Sequence, residues 1–210
     1  MTREELLRAA LQKKIRQRVE TTQVRESIPC ADRSRPLPLS LAQQRLWFLD
    51  QLDKAASAAY HIPTALRLRG RLDVDALQAT LDRILARHEV LRTRFVAIDG
   101  TPYQEILPEN CGFALRREDL SHLPPEQREA AVRARADEEV RAPFDFRNGP
   151  LSRGRLLKLA DDEHVLLVTQ HHIVTDGWSL GILVREVAAL YAAFSRGEAD
   201  PLPPLDIQYA

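Results

Sequence analysis

The stretch from Leu151 to Phe194 constrains the fold more than any other. Two strand-like segments, Leu151–Leu159 (LSRGRLLKL) and the apolar His164–Gln170 (HVLLVTQ), are separated only by Ala160-Asp161-Asp162-Glu163. Runs of this kind bounded by turn residues read as strands. So short a connection makes them antiparallel neighbours. Two adjacent histidines, His171 and His172, follow, and then a turn ending in Asp176-Gly177. From Trp178 to Phe194, Leu180, Leu183, Val184, Val187 and Tyr191 recur at helical spacing. The strand pair thus feeds an apolar helix.

The histidines therefore stand at a strand end, just before a turn and a helix. Successive strand residues point to opposite faces, so one imidazole can face a cavity while the other faces away. Imidazole titrates near neutral pH and moves protons. Asp176, a turn later, can orient a neighbour through a charged hydrogen bond, and Gly177 permits a sharp turn. The same residues also fit an ordinary Asp-Gly turn beside packed histidines, or a metal corner. For a metal there is no third ligand at useful spacing: HExxH, CxxC and a nearby cysteine are all missing.

Along the chain, residues 3–18 (REELLRAALQKKIRQR) read as a helix, with Leu7, Leu11 and Ile15 one turn apart and acids leading bases. Residues 19–37 lack periodicity and read as a linker. Ser40 is placed to cap a helix over Leu41–Gln51, whose Leu41, Leu46, Trp47 and Leu49, with Leu52, suggest a wide apolar face; Trp47 and Phe48 are expected in the core. A loop at Asp53–Ala59 leads to a strand at Tyr60–Arg69, with His61 expected in loop or solvent. Asp73 caps a helix to about His88, with Leu77, Leu81, Ile84 and Leu85 inward. Phe95–Ile98 and Pro102–Leu107 flank Asp99-Gly100, a hairpin signal. Phe113–Arg117 reads as a short strand, and Pro124–Arg141 as a charged helix with a solvated face. Pro143–Pro150 is a turn-rich crossing, and Pro201–Ala210 an extended, proline-rich end.

Composition narrows the function. Lys plus Arg and Asp plus Glu both total 30, so nothing favours capture of nucleic acid. The two cysteines, Cys30 and Cys111, are isolated, which fits a reducing compartment. The apolar runs read as too short to span a bilayer, and the charged N-terminus is unlike a signal peptide. The expectation is a cytoplasmic protein without a membrane partner.

Three ordered motifs carry a resemblance. HHIVTDG is similar to the HHxxxDG motif of the condensation domains of nonribosomal peptide synthetases, within the chloramphenicol acetyltransferase-like acyltransferases. Ser40–Leu52 (SLAQQRLWFLDQL) resembles the opening motif of that family, and Arg87–Phe95 (RHEVLRTRF) its second. The intervening AYHIPTALRLRGRLDVDAL is also similar, so the likeness runs from about Pro38 to the end. The later family motifs are missing. The resemblance thus implies an α/β fold (an α+β sandwich): the N-terminal lobe, over 38–210, of a two-lobe domain, with a mixed sheet flanked by helices.

What it implies for function is peptide-bond formation between two carrier-bound thioesters, with His172, the second histidine, as the catalytic residue. His171 would face away and support the strand end. Gly177 would keep the turn tight, its N–H near the reacting groups. Asp176 would pair with Arg87, Arg92 being the second candidate, and Trp178 and Ser179 would line the channel. The resemblance implies no cofactor of its own, because substrates arrive on the 4′-phosphopantetheine arms of upstream and downstream peptidyl carrier proteins. An adjacent adenylation domain is a further partner. Residues 1–18 are either a linking helix or a docking helix for an upstream synthetase subunit. An epimerization domain and a related acyltransferase remain as alternative enzymes, and a non-catalytic docking module as an alternative of another class. A heterocyclising relative would carry aspartate in place of His171. A lone lobe is expected to be inactive, since half a site neither excludes water nor holds both substrates.

Overall fold

The computed structural model describes residues 28–210. The helix expected over 3–18 and the first part of the linker lie outside the described residues. The strands are β1 (Leu37–Pro38), β2 (His61–Arg69), β3 (Thr93–Ile98), β4 (Thr101–Ile106), β5 (Ala114–Asp119), β6 (Ser152–Ala160) and β7 (Glu163–His171). The helices are α1 (Leu41–Leu52), α2 (Lys54–Ser57), α3 (Val74–Arg87), α4 (Pro125–Arg141) and α5 (Gly177–Phe194). A short 3-10 turn, Ala58–Tyr60, follows α2 where a loop was expected.

The main sheet runs β2-β7-β6-β5. β7 is antiparallel to both β2 and β6, as the hairpin reading requires. β5 lies parallel to β6. Parallel neighbours need a crossover, and α4 supplies it. A second sheet, β1-β4-β3, turns at Asp99-Gly100, where both residues have positive φ, 49° and 78°. That is the two-residue turn that matches strand twist.

The main sheet is covered on both faces. α3 packs beneath one face because Leu77, Leu81, Ile84 and Leu85 recur on one side, all at most 6% exposed. Burying each contributes about 1.5–3 kcal/mol. Asp73 starts the helix by accepting the N–H groups of Asp75 and Ala76. α5 joins α3 on this face, with Leu183, Val187 and Tyr191 against Leu166 and Val168. Between α5 and the sheet lies an apolar cavity of about 300 Å³, bounded by residues such as Leu66, Leu81, Val168 and Val184.

α4 covers the opposite face, and its charges are not only a solvated surface. Val132 and Ala136 meet Leu157, Leu159, Val165 and Leu167. Beside them Arg155, 4% exposed, reaches Glu139 at 2.9 Å, Glu138 at 3.0 Å and Glu118 at 3.4 Å. Buried charges persist only when paired in this way.

α1 departs from expectation. Gln43 and Asp50 are its buried residues, while Leu41, Phe48 and Leu52 are exposed. The cause is polar. Ser40 and Gln43 form a reciprocal capping box, Gln43 then donates to Gln104 at 3.4 Å, and Asp50 pairs with Lys54. Trp47 does pack on the core; Phe48 does not. The apolar runs were also underestimated: α5 is long and apolar enough, by length and composition, to cross a bilayer. Arg185 and Glu186 interrupt it, and Leu190 and Ala193 are buried in the core.

Candidate active site

The site begins where β7 ends. His61 lies opposite His171 in the ladder, and the His172 N–H continues it by donating to the Tyr60 carbonyl at 2.9 Å. The two imidazoles leave the strand on opposite faces, and their surroundings differ completely.

His171 is fully buried. Phe146 meets its ring edge-on at 4.8 Å, His61 at 5.7 Å and Phe144 at 6.3 Å. The Ile173 N–H donates to its Nδ1 at 3.1 Å. The ring proton is then on Nε2, which donates to Ser57 Oγ at 3.2 Å. Burial pushes the His171 imidazole down to about 4, and repulsion from His61 adds to this. His171 is therefore a neutral brace at pH 7. Burial also lowers the pKa of His61.

His172 is exposed. Its Nδ1–H donates to the Thr175 carbonyl at 2.7 Å, a bond that closes on its own turn. Holding the proton on Nδ1 leaves the Nε2 lone pair directed away from that bond and able to accept a proton. No cluster of three metal-ligating side chains exists among the described residues.

The remaining expected site residues are not assembled as the motif implied. Asp176 is exposed and forms no pair with Arg87 or Arg92. It caps α5, accepting from the Ser179 N–H at 2.8 Å and the Ser179 hydroxyl at 2.7 Å. These two bonds hold its carboxyl below the usual range. Arg87 instead meets Glu186 on α5 at 3.2 Å and the Pro203 carbonyl at 2.5 Å. Glu186 also takes His88 at 2.6 Å. Arg92 is held by the carbonyls of Ala86 and Leu107. An exposed aspartate in its own helix cap has no need of a cation, whereas half-buried Glu186 does. Gly177 also differs from expectation. It is the first residue of α5, has no left-handed φ, and a Cβ there would meet nothing within 4 Å. Trp178 is 85% exposed, and Ser179 is half-buried on Asp176.

Sequence reasoning missed the wall behind His171. Ser57, His61, Phe144, Phe146 and Arg153 build it. His61 is buried, with its Nδ1–H donating to the Val140 carbonyl at 2.7 Å. Pairing His61–Arg69 antiparallel with Glu163–His171 would have placed the two histidines opposite one another. Nothing local marks Ser57.

A family model, Condensation domain, matches residues 34–210. The chain belongs to the condensation domain family. Its curated relatives are nonribosomal peptide synthetases of secondary metabolism. Malpibaldin synthetase of Mortierella alpina is 50% identical over 182 residues, which is 87% of this chain and 3% of the synthetase. The X-domain from teicoplanin biosynthesis superposes with a TM-score of 0.75 at 34% identity, covering 87% of this chain and 38% of that one. The first condensation domain of the calcium-dependent antibiotic synthetase, solved with a substrate analogue, has a TM-score of 0.71 at 29% identity and covers 80% and 40%. The mixed sheet flanked by helices is thus the chloramphenicol acetyltransferase-like fold of this condensation domain family. The chain spans about two-fifths of these solved chains.

Proposed function

We propose that this chain is the N-terminal lobe of a condensation domain that joins an acyl or peptidyl thioester to an aminoacyl thioester, each borne on the phosphopantetheine arm of a carrier protein. The observation that carries the reading is the asymmetry of the histidine pair. His171 is neutral and enclosed, while His172 presents a bare Nε2 to the open side of the strand end. The apolar cavity beneath α5 offers no such group.

In this reading the acceptor amine attacks the donor thioester carbonyl. A C–N bond forms, the C–S bond breaks, and the donor arm leaves as thiolate. The nitrogen must shed one proton. His172 Nε2 accepts it and returns it to the departing sulfur, so amide and thiol are the products. A positioned acid–base group of this kind contributes roughly a hundredfold to ten-thousandfold. Asp176 and Ser179 fix the start of α5, and bare Gly177 leaves room for the arriving arm. No group on this chain acts as a cofactor.

Three apolar side chains of α1, Leu41 at 84%, Phe48 at 57% and Leu52 at 67% exposure, join Trp178 in facing outward. A second lobe closing over them would exclude water and complete the channel. Upstream and downstream carriers would deliver to it, beside an adenylation domain, in the cytoplasm. Residues 1–18 would either link to a preceding domain or dock an upstream subunit.

The test is a condensation assay read by mass spectrometry, with two loaded carriers. It compares the 210-residue chain, a version extended through a second lobe, and that version with His172→Ala. Amide from the extended wild type alone is the expected result, with carrier binding unchanged in the alanine variant. An equally active alanine variant would remove His172 from the chemistry.

A further inference from the structure

Arg153 stands on β6 opposite Thr169, on the face that α4 covers. Its guanidinium does two jobs. Nη2 donates to the carbonyls of Glu139 at 2.7 Å and Ala142 at 2.5 Å, Nη1 to Pro143 at 3.3 Å, and Nε to the Glu139 carboxylate at 3.1 Å. Carbonyls at a helix end lack intrahelical partners, so this fork closes the C-terminus of α4. The same group also lies 3.9 Å from the centre of the Phe144 ring. A planar, delocalised cation can stack and bond at once, which an ammonium cannot.

Phe144 passes this restraint on. Its ring centre lies 6.3 Å from that of His171 and 5.0 Å from that of His61, both rings nearly perpendicular to it. His171 in turn fixes the Ile173 N–H, the backbone group that immediately follows His172. The His172 ring is then held by Thr175, two residues further along the same turn. A displaced α4 end would move Phe144, tilt His171 and loosen the turn that aims Nε2.

We infer that Arg153 is a positioning residue for His172, acting through Phe144 and His171 without touching substrate. The inference rests on the condensation reading only for its effect on rate. Its effect on the geometry of His172 is independent of that reading.

The experiment has two arms. In the 210-residue chain, ¹⁵N NMR reads the tautomer of the His172 imidazole. The wild type should show the Nδ1–H form, and Arg153→Met a mixture. Leu120→Ala, in the apolar cluster under α4, serves as the control: it should lower the melting temperature and leave the His172 signals in place. In the extended protein, Arg153→Met should lower kcat on the order of tenfold to a hundredfold, as misplacement of reacting groups does. KM for the carriers should hold steady. Arg153→Lys, which keeps the charge without the fork, should fail to restore either signal, and it serves alone should the methionine variant not fold. An unchanged tautomer and kcat in both variants overturns the inference. So does full rescue by lysine, or an equal disturbance from Leu120→Ala. A disturbed tautomer in a protein whose extended wild type makes no amide leaves the positioning intact and removes the condensation reading.

Discussion

Acid should unfold this protein through His171, and the size of the effect can be worked out. The imidazole has an ordinary value of 6.5 and is held at about 4 in the folded chain. Between those values the unfolded chain binds a proton that the folded chain does not. Stability is therefore complete above about pH 6.5 and falls as the pH drops towards 4. Each unit is worth about 1.4 kcal/mol, so the full window amounts to about 3.4 kcal/mol, and about 2 kcal/mol is lost on going from about pH 7.5 to about pH 5. Protonation would also break the bond from the Ile173 N–H, because Nδ1 could no longer accept. The assay is urea unfolding at the two pH values for wild type and His171→Gln. The variant is less stable throughout, but should lose about 2 kcal/mol less than wild type over that interval. His164 is lowered by burial as well and its contribution cancels in the comparison, whereas His61, which meets the His171 ring at 5.7 Å, is replaced by glutamine in both proteins so that its own titration drops out. An equal loss in both proteins would refute the assignment of the titration to His171.

Two further outcomes test how the remaining motif residues are placed. A double-mutant cycle on Arg87→Met and Glu186→Gln, measured by urea unfolding, should return a coupling of about 0.5–3 kcal/mol, whereas Arg87→Met with Asp176→Asn should return almost none; the reverse pattern would restore the Arg87–Asp176 pair. Gly177→Ala should raise the melting temperature slightly, by about 0.4–1 kcal/mol of stability, because the backbone is already helical and the space is open, while lowering amide formation in the extended protein if an arm passes there.

Much of the scaffold was legible because it is local. The stripe Leu77, Leu81, Ile84, Leu85 and the Asp99-Gly100 turn declare themselves within a few residues, and the β6–β7 hairpin follows from a four-residue gap. What escaped depends on distant partners. The partners of Arg87 lie 99 and 116 residues further along, so a motif-based pairing with Asp176 had no local contradiction. His61 reads as a loop residue until the β2–β7 register sets it opposite His171. The charges of α4 look like a solvated face because their reason for being buried, Arg155, sits on another element. α1 misled in the other direction: its leucines suggest a core face, but the capping box and the Asp50–Lys54 pair turn its polar side inward.

The division of labour between the two histidines is a consequence of register. Under the proposed function a base that meets substrate must be open to it, and an open side chain at a strand end has few neighbours to hold it still. Placing a second histidine immediately before it solves the problem, because alternation sends that ring to the opposite face, where Phe144, Phe146 and His61 enclose it. The enclosure removes basicity from His171 and gives rigidity to the turn behind His172. The arrangement survives only while the ladder from His61↔His171 to Arg69↔Glu163 stays in place. A slip of one residue would invert every side chain. Arg67, now paired with Glu129 of α4 and with Glu163, would face the apolar cavity, and Leu66 would lie against the charged helix. Because Arg155 and Leu156 on β6 impose the same choice of faces, the sheet selects which histidine is locked and which is left open before any residue of the turn is considered.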